Sequence, residues 1–193
     1  MVAVLVATSL AVGACGGDKK PLGPTATVPQ ATTTTNPYAV PSVIDEAYVN
    51  RVLAGLDQAV GDVTRLIVTN QTITSEAADR LAALYTGDAL VLKLQGYQRD
   101  VLQQFAGYKS PLGNKVTTVT QLISSRPECL FAKVSRDVSA ISLNPDPGLS
   151  TLWVSLAPLA RSRDPSGYNM TGWVFAYEGF QQDLSAPANP CND

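Results

Sequence analysis

An α+β fold, with helices first and antiparallel strands afterwards, follows from one change of period along the chain. Apolar residues recur at three- and four-residue steps through the first half of the ordered region. From Val116 onward they give way to short β-branched and aromatic runs that alternate. Gly107 and the run Pro111–Gly113 separate the two regimes. With 193 residues, 45% of them hydrophobic and 16% charged, the chain can bury the core of a single domain of ordinary size.

The first helix is expected over 43–68. Val49, Val52, Leu53, Leu56, Val60, Val63 and Ile67 form its apolar stripe, and Asp45, Glu46, Asn50, Arg51, Asp57, Asp62 and Arg65 its polar face. Ser42, with Asp45 three residues on, reads as its N-cap. Gly61 should weaken it by about 1 kcal/mol relative to alanine. A shorter helix starts after Thr74, carries a Glu76/Arg80 pair at helical spacing and stops at Gly87. Asp88 then caps a third, whose stripe is Leu90, Leu94, Tyr97, Val101 and Phe105, with Lys93, Gln98, Arg99, Gln103 and Gln104 away from it. About four strands follow: 116–123, a run from Cys129 towards Ile141, 152–156 and 173–177. Asn144–Gly148 makes a turn, and Trp173, Phe175 and Tyr177 share one face by alternation. The helices should pack on one face of a bent sheet.

Ahead of this domain lies a different kind of sequence. The apolar run from Met1 ends in Val12-Gly13-Ala14-Cys15 and is followed by Gly16, Gly17 and Asp18. It is too short to span a bilayer, which takes roughly 20 apolar residues, and it suits the apolar region of a signal peptide. The segment resembles the lipobox of bacterial lipoproteins. That resemblance implies cleavage before Cys15, a diacylglyceryl group on its sulfur, and a protein held at the extracytoplasmic face of the cell membrane. No Lys or Arg precedes the apolar run, so either the true start lies upstream or the leading region is atypical. Residues 16–42 interleave Pro21, Pro24, Pro29, Pro37 and Pro41 with Thr25, Thr27 and the Thr32–Thr35 run, the composition of an extended tether. The expected organisation is therefore a signal peptide over 1–14, a lipidated cysteine and linker over 15–42, and one globular domain over 43–193.

With Cys15 assigned to the anchor, Cys129 and Cys191 remain in a compartment that permits disulfides, and a bond between them would pin the C-terminal tail to a strand. The chain has no histidine. That removes the commonest general base and transition-metal ligand, and with them the usual Ser-His and Cys-His pairings. Net charge is −2, with cations scattered and often beside acids, as at Arg99-Asp100, Arg136-Asp137 and Arg163-Asp164. Without a basic stripe, nucleic acid is excluded as a partner class. No metal cluster, phosphate loop, nucleophile elbow or dinucleotide fingerprint is present in the sequence, so neither metal nor cofactor is expected.

The order of one long helix, two shorter ones and about four strands resembles the nuclear transport factor two-like superfamily, a cone in which a curved sheet wraps around helices. Small lipoproteins of actinobacteria with Thr/Pro-rich tethers also resemble this chain. The superfamily includes isomerases, cyclases and many binding domains without chemistry. An isomerase of this kind lacking histidine needs a carboxylate base facing a phenol or protonated acid in an apolar pocket. Tyr48, Tyr85, Tyr97 and Tyr177 are the candidate donors, and Asp45, Asp100 and Glu178 the candidate bases. Asp45 and Asp100 fall on polar helix faces, which leaves Glu178. A pocket for a small apolar ligand or lipid would be lined by Tyr97, Trp153, Trp173, Phe175 and Tyr177. The expectation is a non-catalytic, membrane-anchored surface protein that binds an envelope protein or a small apolar ligand. The alternatives are a cone-fold isomerase or cyclase acting on a small hydrophobic substrate, and a phage-encoded lipoprotein that blocks a receptor or DNA entry.

Overall fold

The computed structural model describes residues 36–146, 150–180 and 187–192. Cys15, the signal segment, most of the tether and part of the Asn144–Gly148 turn lie outside the described residues. The elements run α1 (Glu46–Asn70), α2 (Ser75–Ala82), α3 (Gly87–Leu102), β1 (Val116–Arg126), β2 (Cys129–Asp137), β3 (Thr151–Pro158) and β4 (Trp173–Phe180). The four strands form one antiparallel sheet in the order β1-β2-β3-β4. The three helices pack against one of its faces, making an α+β domain.

Three helix boundaries differ from the sequence expectation, each for a local reason. Asp45, not Ser42, caps α1, because its Oδ1 accepts the Tyr48 N–H at 2.7 Å. α2 closes at Ala82, five residues before Gly87, with Thr74 accepting the Ala77 N–H at its start. Gly87 has φ +54 and begins α3 instead of ending α2, while Asp88 sits in the first turn behind the N-cap Thr86. The stop is imposed by sheet pairing. Phe175 N–H donates to Leu84 O and Thr86 N–H to Phe175 O, both at 2.9 Å, so the α2–α3 connection lies along the outer edge of β4. Contact with the domain begins before position 43. Tyr38 packs on Gly55 of α1, and its carbonyl accepts the Tyr48 hydroxyl.

Register separates the two sheet faces. Leu130, Ala132 and Val134 pair with Leu156, Val154 and Leu152, and all six join the helices in the main core. Phe131 and Trp153 point the other way, stack with ring centroids 5.5 Å apart and meet Cys191 in a second, smaller cluster. β4 carries an irregularity, since Leu156 pairs with Phe175 but Ser155 pairs with Tyr177, which leaves Ala176 as an extra residue. Such a bulge reverses the alternation beyond it. Trp173 and Phe175 therefore face the helices, Tyr177 turns to the opposite face, and Glu178 turns inward.

Cys129, the first residue of β2, is disulfide-bonded to Cys191, with a Cα–Cα distance of 5.6 Å across 62 residues of chain. A loop of that length gives about 4 kcal/mol of stabilisation in the chain-entropy account. Around Cys191 the tail closes on itself, with Asn189 Oδ1 accepting the Cys191 N–H and Asn189 O accepting the Asn192 N–H. Arg126 Nη1, at the end of β1, donates to Cys191 O at 2.8 Å. Ordering each residue costs about 1–2 kcal/mol, whereas a hydrogen bond to a charged group contributes about 1.5–3 kcal/mol. The covalent link ties residues 187–192 to the start of β2.

Gly61 is buried in α1, and a Cβ there would lie 2.0 Å from Asn114 Oδ1. Asn114 is held between Arg65 Nη1, which donates to it, and Gln58 Oε1, which accepts from it. Gly61→Ala should therefore destabilise the domain by roughly 1–2 kcal/mol, against the gain that helix propensity alone predicts. Urea unfolding of the single variant and of Gly61→Ala/Asn114→Ala checks this: the second substitution should recover part of the loss.

Candidate functional site

The inward face of the sheet meets α1 and α3 at a cluster of five charged side chains, and each arrives there for a readable reason. Arg136 continues the β2 alternation Leu130, Ala132, Val134, so period two carries it onto the core face, where it is 7% exposed. Asp57 stands one helical turn from Leu53 and Val60 at the margin of the α1 stripe, and is 3% exposed. Lys115 precedes β1, Lys93 comes from α3, and Glu178 is brought in by the bulge at Ala176.

Their contacts form a chain through every layer. Asp57 Oδ2 accepts the Thr117 N–H at 2.6 Å and Oδ1 accepts the Thr117 hydroxyl at 3.1 Å. Arg136 Nε donates to Thr117 Oγ1 at 3.1 Å, and Arg136 Nη2 donates to Glu178 Oε1 at 2.6 Å. Lys93 Nζ lies 3.3 Å from Glu178 Oε2. Lys115 Nζ lies 3.5 Å from both Asp57 Oδ1 and Glu178 Oε1, and makes no hydrogen bond. Two aromatic rings border the charges. Lys93 Nζ sits 5.1 Å from the Tyr85 ring centre and Lys115 Nζ 5.1 Å from that of Phe175, and these rings stack on each other at 5.2 Å. The Tyr85 hydroxyl is buried without a hydrogen-bond partner.

Burial and charge pull against each other here. Burial alone would raise the Glu178 carboxyl, but Lys115, Lys93 and Arg136 together outweigh it and hold it well below the usual carboxylate range. For Lys115 the balance goes the other way. Burial and repulsion from Arg136 pull its ammonium down from 10.5 to about 8, more than Glu178 and Asp57 push it up. Burial, reinforced by Glu178, raises the Tyr85 phenol well above its ordinary value. Glu178 is thus an ionised, triply paired carboxylate and a weak base, and Tyr85 is a neutral phenol.

The other candidates are dispersed. Asp45 is occupied as a helix cap, and Asp100 accepts the Tyr108 hydroxyl at 2.7 Å. Tyr48 accepts from Trp173 Nε1 at 2.8 Å, and Tyr97 hydrogen-bonds Thr64 at 2.5 Å inside the core. Among the five residues expected to line one pocket, Tyr97, Trp173 and Phe175 are packed into the main core, with Phe175 fully buried against Tyr85. Trp153 lies across the sheet under Cys191, and Tyr177 is 38% exposed on that same far face. The sheet itself lies between the two groups, so these five side chains do not converge on one cavity. The described residues form a groove of about 400 Å³ beside Arg136, Asp137, Val138 and Pro145, and another of about 250 Å³ beside Phe105, Tyr108 and Ile141. Among the described residues there is no group of three or more acids and cysteines placed to hold a metal ion, and no helix long and apolar enough to cross a membrane. Comparison of the chain with family models, with curated proteins and with solved structures gives no match.

Two predictions follow from the cluster. Glu178→Gln leaves Arg136 and Lys115 buried without their shared counter-ion and should cost about 3–5 kcal/mol in urea unfolding at neutral pH. The second concerns Lys115, which loses its proton near pH 8 when folded and near 10.5 when unfolded. Between those values the unfolded chain binds more protons, so stability rises with pH. The gain should be on the order of 1–2 kcal/mol from pH 7.5 to 9.5. Above about pH 10 it reverses, because buried tyrosines such as Tyr85 and Tyr97 ionise more readily in the unfolded chain. Urea midpoints at the two pH values should show the rise in the natural protein and lose it in Lys115→Met.

Proposed function

We propose that this chain is a lipid-anchored docking module of the cell envelope that works without catalysis. Cys15 carries the acyl anchor, residues 16–42 act as the tether, and the α+β domain meets a protein partner on the extracytoplasmic side. The observation that supports docking over chemistry is the state of Glu178. An isomerase or cyclase of the cone type needs a carboxylate with a raised pKa facing a phenol. Glu178 does neighbour Tyr85, but three cations push it in the opposite direction. A carrier of a small apolar ligand is disfavoured for a related reason: Tyr97, Trp173 and Phe175 are spent on packing and hydrogen bonds within the core. The outer side of α3, in contrast, leaves Val91, Leu92 and Leu102 at 52%, 62% and 85% exposure. Val91 and Leu102 stand three helical turns apart on one line, the arrangement that a partner's apolar surface can cover.

Anchor and docking are tested separately. Cys15→Ser should move the protein from the membrane fraction to the medium or leave it unprocessed; normal membrane fractionation of that variant would refute the anchor. For docking, a photo-crosslinker at Leu92 in the anchored protein should trap one envelope protein, and Val91→Ser/Leu102→Ser should abolish the adduct. Native mass spectrometry of the domain should meanwhile give the mass of the polypeptide alone. A stoichiometric apolar molecule in that spectrum, with no crosslink, would replace docking with ligand carriage.

A further inference from the structure

The far face of the sheet has its own architecture. Phe131 and Trp153 stack there as a cluster separate from the main core, and among the described residues the other buried member is Cys191, with Cys129 packed at its margin. Cys191 thus seats residues 187–192 on an aromatic face, apart from the hydrophobic core that joins helices to sheet. The cover fits imperfectly in one respect, since the Trp153 indole N–H is buried beneath it with no acceptor. The hydrogen bonds around Asn189 and Asn192 close the tail on itself, and Arg126 donates a hydrogen bond from the domain to the tail at Cys191 O. Among the described residues, the disulfide and this one hydrogen bond are the links that tie the segment to the domain.

We propose that residues 187–192 are a redox-released strap: the Cys129–Cys191 bond holds them over the Phe131–Trp153 face, and reduction frees them while the domain stays folded. The chemistry requires a dithiol reductant. One of its thiolates attacks the sulfur of Cys129, the more exposed partner, forming a mixed disulfide, and Cys191 leaves as a thiolate that takes up a proton. The second thiol of the reductant then displaces Cys129, so that two protein thiols and one oxidised dithiol result. Release uncovers Trp153 beside Lys133, whose ammonium already lies 5.7 Å from the indole ring centre, and beside the exposed Tyr177. An aromatic face of this kind would be available to a partner only in the reduced protein.

The two tryptophans of the chain make the test direct. Trp173 is 1% exposed in the main core, with its N–H bonded to Tyr48, and serves as the internal reference. Iodide quenching of fluorescence is measured before and after treatment with dithiothreitol, in the natural protein and in Trp153→Phe. The expected result is a several-fold rise in quenching that Trp153→Phe removes, with cooperative urea unfolding retained at a lower midpoint. Cys129→Ser/Cys191→Ser should behave like the reduced protein without any reductant. Unchanged quenching would mean that non-covalent contacts suffice to hold the strap. Quenching of Trp173, or loss of the cooperative transition, would mean that the bond secures the core. Either result overturns the proposal.

Discussion

Between α1, α3 and the sheet, Asp57 and Glu178 share the charges of Lys115, Arg136 and Lys93, and most of what the domain does structurally passes through that group. Asp57 fixes α1 to the start of β1 by accepting both the backbone N–H and the hydroxyl of Thr117. Two turns away Asn50 Oδ1 accepts the Val119 N–H, so α1 side chains satisfy these two N–H groups on the free edge of β1. Arg136 carries the connection across β2, and Glu178 carries it to β4 and α3. A buried ionic group of this sort adds little net stability compared with apolar packing, because desolvation offsets most of the attraction. Its consequence is selectivity. Shifting β4 by one residue would turn Glu178 out of the core and leave Lys115 and Arg136 buried with Asp57 alone.

The bulge at Ala176 and the ion cluster therefore specify one another. Without the extra residue Tyr177 would point at the helices and Glu178 away from them, and the interior would hold a phenol where it needs a negative charge. Gly179 follows for a steric reason, since a Cβ there would collide with the Tyr177 ring folded over it. Function follows the same division. The helix-facing side is committed to holding the fold together, and the proposed docking and strap release accordingly concern the outer surface of α3 and the far face of the sheet.

Much of this was legible in the residues. The α1 stripe, the β2 and β3 cores and the change from helices to strands follow directly from apolar spacing. Arg136 was legible too, by the same alternation that places Ala132 and Val134, although a charged residue in a strand invites assignment to solvent. Asp57 was harder: it lies at the edge of the stripe, and only a partner 60 residues away on β1 makes its burial tolerable. Glu178 and Tyr177 stood out as candidates, but the faces they occupy were not legible, because a bulge leaves no signature in alternation and reverses every expectation beyond it. The stop of α2 before Gly87 was hidden for a comparable reason, being set by pairing with Phe175 rather than by the local sequence. The expected aromatic pocket failed on the same point. Trp153 and Trp173 look equivalent in sequence, but strand parity assigns them to opposite faces.

The most direct measurement of the central claim is the titration of the Glu178 carboxyl itself, followed by carbon NMR of the folded protein labelled at glutamate side chains. The three cations should keep it ionised from neutral pH down to the onset of acid unfolding, with no transition near 4.5. A carboxyl that takes up its proton at or above that value would mean that Lys115, Lys93 and Arg136 do not hold it. The interior would then contain the poised acid of a catalytic site rather than a closed ionic clasp.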